Sequence, residues 1–97
     1  MKTTEGEFVT ASPIEGTILV NIGQMLENWA NGRLRATRHR VVQKANEARM
    51  SLVHFIIPND DVLVEPMPEL RGENDSTRYY GVRPNDLTKE YYTAFQK

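Results

Sequence analysis

A histidine, an arginine and a serine lie within thirteen positions of one another in mid-chain, and they carry the chemistry that this sequence offers. His39 sits in the basic, β-prone run Arg38-His39-Arg40-Val41-Val42. A neutral imidazole is a common ligand for a divalent transition metal. Arg49 and Ser51 stand two apart in the next apolar run. A guanidinium grips a carboxylate through two parallel hydrogen bonds and keeps its charge when partly buried, and a serine hydroxyl adds a third donor. The set suits a metal with a carboxylate ligand held beside it. The other histidine, His54, shares its side of the run with Met50, Leu52 and Ile56 and reads as a packed or boundary residue.

The elements that must position these side chains follow from periodicity and turn chemistry. Glu7 to Thr10 predicts a short strand, closed by Ser12-Pro13, and Glu15-Gly16 a turn. Thr17 to Ile22 is β-branched and nearly all apolar, as a strand buried on both faces would be. Gln24 to Trp29 predicts one or two helical turns with Met25, Leu26 and Trp29 on one side. Asn31-Gly32 is a turn signal, since both residues tolerate positive φ. Arg33 to Val42 alternates, with Arg35, Thr37, His39 and Val41 on one face. The polar stretch Gln43 to Ala48 is short enough for a hairpin connection. Arg49 to Ile57 is a second strong strand candidate, with Arg49, Ser51, Val53, Phe55 and Ile57 facing one way. Val62 to Glu65 is a short extended piece, and residues 66–83, rich in Pro, Gly and charge, read as a long loop. Asn85 or Asp86 is the expected cap of a last helix with the apolar stripe Leu87, Tyr91, Ala94 and Phe95. Trp29, Tyr79-Tyr80 and Tyr91-Tyr92 read as packing residues.

The middle of the chain closely resembles the C-terminal half of the iron(II)/2-oxoglutarate-dependent dioxygenases, in the isopenicillin N synthase-like branch that includes plant flavonoid, gibberellin and ethylene-forming oxidases. Pro13 to Leu26 resembles the family's strand entering Asn-x-Gly-Asp, and Trp29-Ala30-Asn31-Gly32 its Trp-Thr-Asn-Gly turn. Arg38-His39-Arg40-Val41 and Arg49-x-Ser51 follow in the family's order. The likeness covers residues 6–66 well and the C-terminal helix weakly. It departs at Gln24, where the family has aspartate, at Ala30, where it has Thr or Ser, and at Ala36, where it has serine. The resemblance implies that His39 is the second histidine of a two-histidine, one-carboxylate iron triad. It implies that Arg49 and Ser51 hold the distal carboxylate of 2-oxoglutarate. The family's first histidine and its carboxylate come as His-x-Asp, and this sequence has no such pattern. One ligand of three is therefore identifiable, and a second copy of the chain brings the same ligand again.

Bulk properties narrow the reading. With 97 residues the chain is one domain at most, and such a chain buries under about 70% of its unfolded surface. A net charge of −1 argues against a polyanionic partner. The basic residues between Arg33 and Arg49 are offset in the sequence by an acidic stretch from Asp60 to Asp75, and Arg49 has a better role as a carboxylate grip, so nucleic-acid binding is not expected. The absence of cysteine excludes disulfides and thiolate metal sites. The sequence shows no signal region and no apolar run of transmembrane length, so a soluble, cytoplasmic protein is expected. The expected fold is all-β: the C-terminal portion of a double-stranded β-helix, or jelly roll, with a short internal helix and a C-terminal helix, forming one partial domain over residues 1–97. The expected function is that of a fragment or truncated oxidoreductase of the family, with Fe(II) and 2-oxoglutarate as cofactors and a small organic substrate. It is expected to be inactive alone and to self-associate or dock onto a missing N-terminal half. The rival class is a non-catalytic interaction module that pairs through open sheet edges.

Overall fold

A computed structural model describes residues 1–71, 79 and 81–95. The middle of the predicted 66–83 loop, Asp75 and Tyr80 lie outside the described residues, as does the Phe95 side chain. The chain divides into two compact units. The first comprises Met1–Asn21 and Thr37–Ile56, the second Ile22–Ala36 and Ile57–Lys97.

The expected all-β jelly roll is overturned. Among the described residues no strand forms, and β pairing is limited to two isolated antiparallel bridges, Lys2 with Phe8 and Val64 with Val82. The runs Thr17–Ile22, Arg33–Val42 and Arg49–Ile57 carry no ladder. The physical reason is the lack of partners. A pair of strands in isolation is marginal in water, and a jelly-roll strand pairs with segments distant in sequence. The predicted hairpin shows this directly. Its turn forms, with Asn46 at φ 70° and the Gln43 side-chain amide donating to the Glu47 carbonyl, but the flanking runs do not zip.

In the first unit no described residue is buried. Besides its turns, backbone hydrogen bonds tie its N-terminus, where the Val9 amide donates to the Met1 carbonyl at 2.8 Å and the Thr3 amide to Glu7 at 2.7 Å. The apolar residues of its two long runs stand in solvent, with Ile18 89% and Leu52 99% exposed.

The second unit holds the regular structure. Helix α1, Gln24–Trp29, ends as its sequence asks. Asn31 takes the left-handed conformation at φ 51°, its amide donates to Asn28, and the Gly32 amide reaches back to Glu27 at 2.9 Å. This paired closure satisfies carbonyls that a helix end otherwise leaves open. Its packed face differs from the expected one: Asn28 is buried, while Leu26 and Trp29 are exposed. Val64 and Val82 exchange backbone hydrogen bonds at 2.8 and 2.9 Å, and one turn of 3₁₀ helix spans Pro68–Leu70. Helix α2, Pro84–Phe95, begins a residue before the expected cap. Proline is pre-set for the first helical position, so Asn85 and Asp86 fall inside the first turn, where the Asp86 carboxylate favours the helix dipole. Its stripe is largely unburied, Leu87 being half-buried and Tyr91 and Ala94 exposed. Among the described residues of this unit, those buried are Asn28, Ala30, Val64, Pro66 and Pro84. No helix of the described residues is long and apolar enough to cross a membrane.

Candidate functional site

His39, Arg49 and Ser51 all fall in the first unit, and all three are exposed. The His39 ring has the best-defined surroundings. Its Nδ1 lies 2.9 Å from the Thr37 carbonyl oxygen. A carbonyl oxygen can only accept, so Nδ1 is the donor in this contact, and in the neutral ring the lone pair then lies on Nε2. That tautomer presents Nε2 as a metal ligand, and a backbone carbonyl is a common second partner for a ligating imidazole.

The backbone on either side of His39 is tethered as well. The Arg38 carbonyl accepts from the Lys2 amide at 2.7 Å. The Arg40 guanidinium lies over the Phe8 ring, 4.5 Å from its centroid, and the Lys2 ammonium approaches the same ring at 5.9 Å. A cation held over an aromatic face at an exposed site contributes about 0.5–1 kcal/mol. Lys2 and Phe8 were not among the expected site residues. Their signal in the sequence was faint: an aromatic in a short strand candidate, with nothing to name its partner.

Arg49 and Ser51 are less constrained. Among the described residues, neither side chain makes a hydrogen bond or an ion pair. Alternation survives in their run only as a matter of degree. Met50, Leu52 and Ile56 are 94%, 99% and 89% exposed, whereas Val53, Phe55 and Ile57, on the Arg49 and Ser51 side, are 67%, 74% and 51% exposed. His54, expected to be packed or at a boundary, is exposed, because no layer covers this run.

The donor set does not amount to an iron centre by itself. Among the described residues no three His, Asp or Glu side chains gather where they could share a metal ion. His39 offers one ligand position, and a neutral ring with Nε2 free fits it.

A model of the 2OG-Fe(II) oxygenase superfamily matches residues 1–58, a stretch that contains His39, Arg49 and Ser51. Similar curated proteins include a homoarginine-6-hydroxylase from Glycine max, 40% identical over 98% of this chain and 29% of the relative. A 2-oxoglutarate-dependent dioxygenase from Oryza sativa subsp. japonica is 37% identical over 84% of the chain and 24% of the relative. A feruloyl CoA ortho-hydroxylase from Ipomoea batatas is 31% identical over 94% and 25%. The chain thus spans about a quarter of the length of the curated relatives it matches. No solved structure matches it. With its imidazole, its arginine and its serine all inside a match that takes in more than half of its residues, the chain belongs to the 2OG-Fe(II) oxygenase superfamily.

Proposed function

We propose that this chain supplies one iron ligand and the 2-oxoglutarate grip of an oxygenase that oxidises a small organic molecule, and that it does so only in combination with the rest of such a domain. In that role His39 Nε2 ligates iron(II), and Arg49 and Ser51 bind the distal carboxylate of 2-oxoglutarate. Iron(II) with the keto-acid would supply the oxidising chemistry when bound. The chain's own work is to hold, orient and shield. The observation that carries the reading is that the family match spans all three residues. The contact of His39 Nδ1 with the Thr37 carbonyl is compatible with it, since it leaves Nε2 of the neutral ring free to ligate. The names of the relatives cover homoarginine and feruloyl CoA, so the reading stops at hydroxylation of a small organic substrate. The proposed setting is the cytoplasm.

The missing ligands and the missing cover belong to one proposal: the remaining part of a family domain, carrying His-x-Asp, docks on the bare runs of this chain. A turnover assay tests it. With iron(II), ascorbate and 2-oxoglutarate the purified chain forms no succinate above background. Adding a family segment that carries His-x-Asp gives iron-dependent succinate, and His39→Ala or Arg49→Ala in this chain removes it. Succinate formed by the chain alone and lost in His39→Ala would show that its own ligand set is sufficient. The exposed surface also favours a second reading, a non-catalytic module that pairs through its apolar runs. That reading predicts binding of the same segment with no turnover under any of these conditions.

A further inference from the structure

The first unit gathers positive charge at one corner. A local turn begins it: Gly6 takes φ +94°, its amide donates to the Thr3 carbonyl at 3.1 Å, and the Glu7 amide donates to the Thr3 hydroxyl at 3.2 Å. The turn sets Lys2 opposite Phe8 in an antiparallel bridge. The Lys2 amide donates in turn to the Arg38 carbonyl, which ties the 38–40 run alongside. Two cations thus meet one ring, with Arg40 Cζ 4.5 Å and Lys2 Nζ 5.9 Å from the Phe8 centroid. The ring is 48% exposed, and Arg40 is exposed. Among the described residues, neither the Lys2 ammonium nor the Arg40 guanidinium makes a hydrogen bond or an ion pair. The two like charges repel each other, and no carboxylate of the described residues offsets them. A guanidinium stacked on a ring spends its face there and keeps its N–H edge for an acceptor. The stacking also holds the side chain in place, so less freedom is lost when that edge binds.

We propose that the corner formed by Lys2, Phe8 and Arg40 docks an acidic peptide segment of a partner. One carboxylate of the peptide takes the Arg40 fork, the Lys2 ammonium adds to the attraction, and an apolar neighbour of that acid lies against the open part of the Phe8 ring. A planar carboxylate matches the guanidinium edge through two parallel hydrogen bonds, and bonds between charged partners are the stronger kind. The half-exposed ring suits the side chain next to the acid. A polyanion fits less well. Glu5 and Glu7 stand in the turn itself, and the net charge of the chain is −1. The proposal makes no use of iron or 2-oxoglutarate, so it stands or falls apart from the oxygenase reading.

The test titrates the full chain, labelled with nitrogen-15 and carbon-13, with a capped Leu-Glu-Leu tripeptide. A capped Leu-Gln-Leu tripeptide, inorganic phosphate and a single-stranded oligothymidylate are the comparison probes. The glutamate peptide shifts the Arg40 Nε–H and Phe8 ring signals saturably, and the glutamine peptide binds at least fivefold more weakly. Arg40→Gln weakens binding of the glutamate peptide at least fivefold. Arg40→Lys keeps the charge and loses the fork, and weakens it at least twofold. Phe8→Leu keeps both cations and loses the ring, and also weakens it at least twofold. The Lys2 and Val9 amide signals stay in place in both Arg40 variants, whose altered side chain makes no backbone contact. Equal binding of the two peptides would overturn the proposal, as would undiminished binding in Arg40→Gln. Phosphate that saturates the same signals as tightly as the glutamate peptide would show an anion site without peptide recognition and overturn it too. Tighter binding of the oligothymidylate would do the same in favour of a nucleic-acid surface.

Discussion

At the scale of single residues, the clearest constraints sit in the turn after α1. Gly32 at φ +77°, under the Tyr79 ring, has no room for a side chain and a backbone that L residues avoid. Gly32→Ala is expected to release the Tyr79 hydroxyl from the Glu27 carboxylate, to which it donates at 2.8 Å, and to cost on the order of 1 kcal/mol from the backbone alone. Tyrosine fluorescence quenching by iodide checks it: accessibility rises in the variant. Asn31 does two things at once, adopting φ 51° and donating from its side chain to the Leu70 carbonyl at 3.0 Å. Asn31→Gly keeps the first and loses the second. It is expected to leave α1 intact and to speed amide exchange in Pro68–Arg71, as read by exchange mass spectrometry. The residue pattern was legible from the sequence here. Asn31-Gly32 announced positive φ in both residues, and both have it. Glu27 was not legible, because its partners, the Ala36 amide and the Tyr79 hydroxyl, are nine and fifty-two residues away. No local spacing encodes such a pairing.

At the scale of elements, what the sequence specifies locally is formed, and what it specifies through distant pairing is not. Helix α1, the Asn46 turn and α2 depend on neighbours within a few residues. The runs Thr17–Ile22, Arg33–Val42 and Arg49–Ile57 have the composition of strands, yet a strand is defined by its partner's hydrogen bonds and not by its own side chains. Composition therefore gave the β tendency, and the family likeness gave a jelly roll, while the described residues hold only two bridges. The same limit applies to the site. Its residue types and order were readable, but a face shared by alternation becomes a packed one only under a covering layer, which these runs lack. The Val64–Val82 bridge allows a direct check. Val64 is 5% exposed, so Val64→Ala removes two buried methyl groups and is expected to destabilise the second unit by roughly 1–2.5 kcal/mol. Faster exchange of the Val82 amide measures it. Met50→Lys, at a residue 94% exposed, is expected to leave that exchange unchanged.

At the scale of the whole molecule, the first unit is the deciding feature, because none of its residues is buried and its long apolar runs stand in solvent. The chain alone is therefore expected to unfold without a sharp transition and to self-associate at micromolar concentration, since bare apolar runs and unpaired backbone recruit other chains. Sedimentation velocity with thermal melting decides it. A clean monomer with a cooperative melt would mean that these residues close their own fold.

A first unit without one buried residue also bears on the life of the chain in a cell. Backbone that is open most of the time is cleaved at a rate set by the protease and not by a rare unfolding event. The abundance of the chain would then be governed by whatever shelters it, through degradation of the unsheltered fraction. Its steady-state level should follow the supply of its complement more closely than the rate of its own synthesis.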